Sequence, residues 1–139
     1  MNRLLALWAL VALSPAAQAA PTLLPGLYEY TVQMNMPGMQ VGGMPPQVSQ
    51  RCLKPQDVEG ANAYQMPDSS TDCKVTDMKE DGGQFSYKMA CTKPQQFTAD
   101  VKGTITETSV AMNMTMTVAE MPGPINQNVT ARRLGECKQ

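Results

Sequence analysis

The sequence contains no histidine at all, and this absence removes several functions at once. A Ser/His or Cys/His nucleophile needs an imidazole base beside it, so neither can be built from this chain. Zinc sites are disfavoured too, because the chain also lacks a Cys-x-x-Cys pair. We identify no phosphate-binding loop and no pair of catalytic carboxylates. We therefore expect a protein that is not an enzyme and that carries no cofactor.

Aromatic side chains are few: the chain has four tyrosines, two phenylalanines and one tryptophan. Large aliphatic side chains are also scarce, and methionine, with 12 residues, takes their place. A chain of this size buries roughly two-thirds of the surface that its unfolded form exposes, which is enough for one domain and not for two. We predict a single domain with a modest, methionine-rich core.

Neither sign of charge dominates, since 11 Lys and Arg residues stand against 12 Asp and Glu residues. Loss of an N-terminal segment containing Arg3 would leave 10 basic residues and a net charge of −2 (10 minus 12). Nucleic acids and anionic lipid surfaces attract proteins with basic patches. We therefore expect neither a nucleic acid nor a lipid surface as partner.

Long hydrophobic runs are confined to the N-terminus. Arg3 precedes an apolar run at residues 4–13, and residues 17–19, Ala-Gln-Ala, are the small residues that signal peptidase requires. This pattern predicts a signal peptide at residues 1–19 and a single exported β domain at residues 20–139. The run is too short to span a membrane. We expect a periplasmic protein without a membrane span after cleavage.

All four cysteines, Cys52, Cys73, Cys91 and Cys137, lie in the part predicted to be exported. An even count in an exported chain with a thin core indicates two disulfides, each stabilising by roughly 2–4 kcal/mol. In a strict up-and-down meander Cys52, Cys73 and Cys91 would be neighbours, whereas Cys137 would lie at the other end unless the tail folds back. We favour Cys52 with Cys73, across the helical turns, and Cys91 with Cys137. Direct pairing of Cys73 with Cys91 across a hairpin is the main alternative.

The clearest local pattern is a β-hairpin over residues 73–91. Its turn signal is Asp-Gly-Gly at residues 81–83, because glycine adopts positive φ without a steric clash. Residues 85–91 alternate between apolar and polar, which is the two-residue period of a strand with one buried face. With a three-residue loop, Val75 would face Met89 and the two hairpin cysteines would face each other.

The same alternation recurs along the chain. It predicts five further strands, over residues 26–36, 47–53, 97–105, 110–118 and 127–134, with one or two helical turns at residues 54–59. Residues 37–46 and 61–72 are rich in turn-forming residues and are interpreted as connections. Together these patterns predict an all-β fold, an antiparallel meander of about seven strands curled into a half-barrel or flattened barrel. The short helix would lie over an edge or an open end.

One group of methionines suggests a metal site. Met34, Met36, Met39 and Met44 lie in and around a loop rich in proline and glycine, and soft thioether ligands select Cu(I). The competing explanation is that methionines spaced by two on a strand fill the core. Met39 and Met44, which lie in the loop, escape that explanation. Cu(I) binding or buffering is therefore one hypothesis for function.

A second group, Met112, Met114 and Met116, alternates along a predicted strand. A curled sheet lined by these residues could face a small apolar ligand, because flexible methionine surfaces adapt to many shapes, or it could be packed core. The leading hypothesis is a non-catalytic protein that binds a small apolar ligand or an envelope protein on this methionine-lined sheet. A purely structural or interaction role is a further alternative. The sequence assigns no oligomeric state.

Several short motifs resemble a known family. They are Pro25-Gly26-Leu27-Tyr28-Glu29, Met36-Pro37-Gly38-Met39, Cys52-Leu53-Lys54-Pro55-Gln56-Asp57, Cys73-Lys74-Val75, Tyr87-Lys88-Met89-Ala90-Cys91, Met112-Asn113-Met114-Thr115-Met116 and Arg133-Leu134-Gly135-Glu136-Cys137. In their order the chain resembles the bacterial exported family called domain of unknown function 3617. The opening strand has Tyr28 where the family often has tryptophan. The resemblance implies an exported single domain and brings no catalytic residue, cofactor or substrate.

Overall fold

A computed structural model describes residues 21–36, 44–60, 72–93 and 95–138. The predicted signal peptide and most of the two predicted connections lie outside the described residues. The seven strands are β1 (Gly26–Asn35), β2 (Gln47–Leu53), β3 (Asp72–Asp81), β4 (Gln84–Lys93), β5 (Phe97–Ile105), β6 (Ser109–Val118) and β7 (Ile125–Gly135). The predicted helix is a single 3₁₀ turn at Pro55–Asp57.

All seven strands form one antiparallel sheet in the order β2-β1-β7-β6-β5-β4-β3. The prediction of an all-β antiparallel meander is therefore confirmed, and the sheet is not closed: β2 and β3 are its two edges. The first strand joins the last, because Leu27 of β1 is paired with Cys52 of β2 on one side and with Gly135 of β7 on the other. The chain between β2 and β3 consequently links opposite edges of the sheet.

This strand order decides the disulfides, which join Cys52 to Cys137 and Cys73 to Cys91. The favoured pairing of Cys52 with Cys73 and Cys91 with Cys137 was wrong, and the alternative across the hairpin was right. Because β1 is antiparallel to both β2 and β7, those two strands run in the same direction and end at the same end of the sheet. The strict meander had placed Cys137 at the opposite end.

Far from its turn, the β3–β4 hairpin has the predicted register, but its turn and the adjoining part of β3 differ from the prediction. Val75 faces Met89 as expected, but the turn has two residues, since Asp81 pairs with Gln84. Both turn glycines have positive φ, 56° and 85°, as a tight hairpin turn requires. The register shifts between Thr76 and Lys79. There Asp77 adopts a φ of 55°, and this β-bulge takes up the residue that the loop was expected to hold.

Alternation divides the sheet into a polar outer face and an apolar inner face. The inner face carries the buried core, which includes Tyr28, Phe85, Tyr87, Ala99, Val101, Val110, Met112, Met114, Val129 and Ala131. The outer face of β5, β6 and β7 is exposed and rich in threonine, asparagine and charge. A single hydrophobic cluster unites buried residues of β1, β2, β4, β5, β6 and β7, as expected for a strongly twisted and coiled sheet that packs on itself.

One close approach on the inner face requires glycine. Gly103 of β5 is paired with Phe85 of β4, and a Cβ at position 103 would lie 2.5 Å from the Phe85 Cζ atom. The absence of a side chain therefore lets the phenyl ring lie across β5. This contact fills the middle of the core between the two ends described below.

Candidate functional site

The inner face has two ends that differ in how well they are sealed. We call the first the tyrosine end, formed by Leu23, Tyr28, Leu53, Val58 and Ile105, all of which are buried. We call the second the methionine end, formed by Met34, Met89, Phe97, Met116 and Ile125, all of which remain partly exposed. The exposed apolar surface of the methionine end is the candidate functional site.

At the tyrosine end, Tyr28 is the central side chain and is fully buried, with 0% exposure. Its hydroxyl donates a hydrogen bond of 2.6 Å to the Leu24 carbonyl. The Leu24 amide in turn donates to the Glu107 carbonyl in the turn between β5 and β6, at 2.8 Å. The segment before β1 is thereby held across this end of the sheet.

Two further features close the tyrosine end. Arg133 donates from Nε to the Pro25 carbonyl at 2.9 Å and also bonds Glu136. The 3₁₀ turn is capped by the Asp57 carboxylate, which accepts from the Lys54 amide at 2.8 Å, and the next residue, Val58, is buried in the core. Backbone and side chains therefore seal this end, and little room remains for a ligand.

The methionine end begins with a row of register neighbours that crosses the sheet. Gln127 of β7 lies between Met34 of β1 and Met114 of β6, and the row continues through Val101 to Tyr87. Side chains directly opposite each other on one face are in contact distance, with Cβ atoms about 4.5–5.5 Å apart. Apart from Gln127 and the phenolic hydroxyl of Tyr87, the row is apolar.

The next row toward this end is less protected. Ile125 pairs with Met116, Met116 with Ala99, and Ala99 with Met89. Ala99 is buried, whereas Ile125, Met116 and Met89 keep partial exposure. In the last row, Phe97 is also partly exposed beside the buried Cys91. The surface that solvent reaches at this end is therefore made of thioether, aliphatic and aromatic groups.

The three methionines expected to face a ligand lie at different depths on this face. Met112 and Met114 are buried, with 6% and 4% exposure, and both belong to the core cluster. Met116 packs against the cluster from the methionine end and stays partly exposed. Among the three, Met116 is the one that a ligand could contact without displacing core side chains.

The four methionines expected to bind Cu(I) are only partly covered by the structure. Met34 lies near the end of β1 and Met36 directly follows that strand, both partly exposed, and Met44 lies three residues before β2 with 44% exposure. Met39 lies outside the described residues. Because β1 and β2 are paired and antiparallel, the three described methionines are at the same end of the sheet. Their convergence on one ion stays a prediction.

Comparison with models of protein families identifies the family of this chain. A family model for proteins of unknown function, DUF3617, matches residues 23–137. The chain belongs to the DUF3617 family. The match starts at the buried Leu23 and ends at the cysteine that closes the long disulfide, so the resemblance drawn from the motifs is confirmed. Neither the comparison with curated proteins nor the comparison with solved structures finds a match.

Membership of DUF3617 assigns no activity, so the geometry of the described residues must carry any functional argument. In the part of the chain that the structure describes, no three His, Cys, Asp or Glu side chains are grouped as a metal site would need. No helix in this part is long and apolar enough to cross a membrane. A groove of about 340 Å³ beside the β3–β4 hairpin is lined by charges of both signs, including Lys79, Glu80, Asp81 and Lys102.

Three tyrosines of this DUF3617 chain lie on the inner face, and burial raises the pKa of each. The pKa of Tyr87 rises to about 12 because the phenol is desolvated. Burial also raises the pKa of Tyr28, against the opposing charge of Arg133, and that of Tyr30, against the opposing charge of Arg51. All three phenols are therefore neutral at physiological pH, which suits a face that receives apolar groups.

Sequence reasoning missed several residues of the methionine end, among them Met89 and Gln127. The sequence places Met89 on the buried face of the hairpin, but its position in the row of Ala99 and Met116 follows only from the register of β4, β5 and β6. Gln127 was read as the start of the last strand. The two-residue period of the strand could have revealed it: Gln127 shares a face with Ile125 and Val129, so a polar side chain occupies a position where the pattern predicts an apolar one.

Proposed function

We propose that this protein is an exported, periplasmic, non-catalytic member of its family that binds a small apolar ligand at the methionine end of its sheet. The observation that carries the proposal is the contrast between the two ends of one inner face. Tyr28, at the sealed end, has 0% exposure, whereas Met34 and Met116 keep exposed apolar surface. Grouped apolar surface on a folded protein commonly marks a binding site.

The chemistry of this end supports an adaptable apolar site. Methionine is unbranched, has three rotatable bonds and carries a polarisable sulfur, so its side chain can move aside and pack against guests of varied shape. Met34, Met89 and Met116 come from three strands of one face. Phe97 and Ile125 add bulk at the rim. An alkyl chain or a small ring could lie across these groups.

Two features support export to the periplasm. The chain carries two disulfides, Cys52–Cys137 and Cys73–Cys91, and such bonds persist in oxidising compartments. The pattern at residues 1–19 is that of a cleaved leader. Expression of the full chain in a bacterium, followed by fractionation and mass spectrometry of its N-terminus, should find mature protein in the periplasm that begins near residue 20. Uncleaved protein in the cytoplasm would contradict the export proposal.

Ligand binding is tested with a neutral apolar dye, N-phenyl-1-naphthylamine, whose fluorescence rises in apolar surroundings. We expect saturable binding to the oxidised mature protein. Met116→Arg places a charge on the apolar site, which should weaken binding by about tenfold or more because an unpaired charge in apolar surroundings is unfavourable. Thr117→Arg is the matched control, since Thr117 is the next residue on the same strand and is exposed.

Circular dichroism and an intact disulfide count should match wild type before either variant is compared. Dye binding that Thr117→Arg and Met116→Arg weaken equally would contradict a site at the methionine end. Absence of saturable binding to wild-type protein would contradict small-ligand binding altogether and would favour an envelope protein or a structural role.

Cu(I) binding is the second candidate, and the shared end of Met34, Met36 and Met44 favours it. The test is a Cu(I) titration against a competing chelator, with wild type compared with Met36→Leu/Met39→Leu/Met44→Leu. Leucine keeps the apolar volume and removes the sulfur. The control is Met78→Leu, an exposed methionine on edge strand β3. Stoichiometric binding lost only in the triple variant would support a copper site, and no binding above chelator background would remove it.

A further inference from the structure

Gln127 is the exception in the methionine end, and the proposed function does not explain it. Its side chain is on the inner face of β7, paired with Met34 on one side and Met114 on the other. Along its own strand the inner-face neighbours are Ile125 and Val129. An amide group is thus surrounded by four apolar side chains.

Gln127 is almost completely buried, with 5% exposure. Within the part of the chain that the structure describes, it is the one polar residue that is buried. We find no hydrogen bond from its side chain to a described residue. No described side-chain nitrogen or oxygen is both fully enclosed and unpaired, so the amide must keep a narrow contact with solvent. Val129 and Met112, in the row below, are sealed, and the contact therefore opens toward the methionine end.

An amide in this position has unused hydrogen-bonding capacity. The glutamine side chain offers an acceptor oxygen and a donor NH₂ group, and buried polar groups in proteins are nearly always hydrogen-bonded. A leucine or methionine at 127 would fill the same row without this requirement. The arrangement fits a polar group supplied by the ligand.

The charge around Gln127 limits what that group can be. In the two rows that hold Gln127 and Met116, the inner-face positions of β1, β4, β5, β6 and β7 carry no charged side chain among the described residues. The first charged residue in the same alternation is Lys93, which is exposed and lies beyond Cys91 at the end of β4. A ligand carboxylate beside Gln127 would find no cation in these two rows, and burying it would be unfavourable. An uncharged hydroxyl or carbonyl meets no such barrier.

We infer that the ligand of the methionine end is an uncharged amphipathic molecule, with an apolar chain or ring and one hydroxyl or carbonyl group that hydrogen-bonds the Gln127 amide. This inference rests on the proposed function and adds the chemical class of its ligand. The apolar part lies against Met34, Met116 and Ile125. The polar group lies at the amide, in the row of Met34 and one row deeper than Met116 and Ile125.

The test compares three probes of equal chain length, octan-1-ol, octane and octanoate, as competitors of N-phenyl-1-naphthylamine. The ratio of alcohol affinity to alkane affinity should be up to about tenfold higher for wild-type protein than for Gln127→Met, the gain of one well-placed hydrogen bond, and wild-type protein should bind the alcohol more tightly than the carboxylate. Gln127→Met should keep alkane binding. Asn128→Met, the adjacent exposed residue of β7, should behave like wild type.

A measurement on wild-type protein alone covers the case in which Gln127→Met does not fold. The side-chain NH₂ resonances of Gln127, assigned by amide NMR, should shift on addition of octan-1-ol and stay in place with octane. Unmoved NH₂ resonances, or an alcohol-to-alkane affinity ratio that Gln127→Met leaves unchanged, would overturn this inference and leave apolar binding standing. Failure of the dye and of all three probes to bind would instead overturn the proposed function.

Discussion

The two ends of the inner face belong to one sheet and share strands β1 and β5, and they differ in what covers them. At the tyrosine end, the segment before β1 is bonded to the turn between β5 and β6 and to the side chain of Arg133, and Val58 after the 3₁₀ turn is buried in the core. At the methionine end, the described residues leave thioether and aliphatic groups partly exposed. Rigid aromatic packing with a hydrogen-bonded hydroxyl serves stability, whereas flexible uncovered side chains leave room for a partner.

The two disulfides extend this comparison, because each one fastens a different end. Cys52–Cys137 ties the ends of β2 and β7 together at the tyrosine end, across β1. Cys73–Cys91 joins β3 to β4 at the methionine end, within one hairpin. The first spans 85 residues and the second 18, so their removal should have unequal effects.

The largest expected effect is the loss of the long disulfide. Chain-entropy arguments predict that Cys52→Ala/Cys137→Ala lowers the free energy of unfolding by about 4.5 kcal/mol, and that Cys73→Ala/Cys91→Ala lowers it by about 3 kcal/mol. Urea unfolding of the two double variants, monitored by circular dichroism, measures both. A larger loss from the hairpin bond would contradict the view that the tyrosine end holds the fold together.

Two methionines of β6 test where along this strand the packed core ends and the exposed binding surface begins. Met114→Ala should lower the free energy of unfolding by about 3 kcal/mol, because it leaves a cavity in a packed core. Met116→Ala, two residues along the same face, should lower it by about 1 kcal/mol because part of its side chain is already in water. Thermal unfolding of both variants gives the comparison. Equal losses would mean that Met116 is core rather than binding surface.

Removal of the Tyr28 hydroxyl should have a smaller effect on the free energy of unfolding. Tyr28→Phe keeps the ring and removes the donor to the Leu24 carbonyl, so the free energy of unfolding should fall by about 1 kcal/mol. Hydrogen exchange should report the same change locally, as faster exchange of the Leu24 amide that bonds Glu107. Unchanged exchange at Leu24 would show that the segment before β1 is held without this bond.

The last predicted effect is a loss of stability caused by ionisation of Tyr87, which is absent at neutral pH and appears only at alkaline pH. The pKa of Tyr87 is raised from 10 to about 12 in the folded protein, so above pH 10 the unfolded state ionises this phenol more readily than the folded state does. Stability should be unaffected below pH 10 and should fall as the pH rises from about 10 to about 12. Urea midpoints measured across this range should fall less steeply in Tyr87→Phe, and an identical slope would contradict the assignment.

Alternation in the sequence was enough to predict the strands, because Phe85, Val101 and Met112 each belong to a two-residue apolar period. The cysteine pairing was not predictable, because it depends on β1 pairing with β7, a contact between the two ends of the chain that local patterns do not encode. The bulge at Asp77 was equally hidden, since its positive φ compensates a shorter turn. Gln127 could have been found as a polar residue in an apolar phase, but its neighbours could be known only from the full register.

The measurement that tests the central claim most directly is a methyl NMR titration of the mature protein labelled with ¹³C at the methionine ε-methyl groups. Octan-1-ol should shift the methyl resonances of Met34, Met89 and Met116 in a saturable way. The exposed Met78 on edge strand β3 should remain unshifted and serves as the internal control. Shifts at Met78 equal to those at Met116, or no saturable shift at any methionine, would contradict ligand binding at the methionine end.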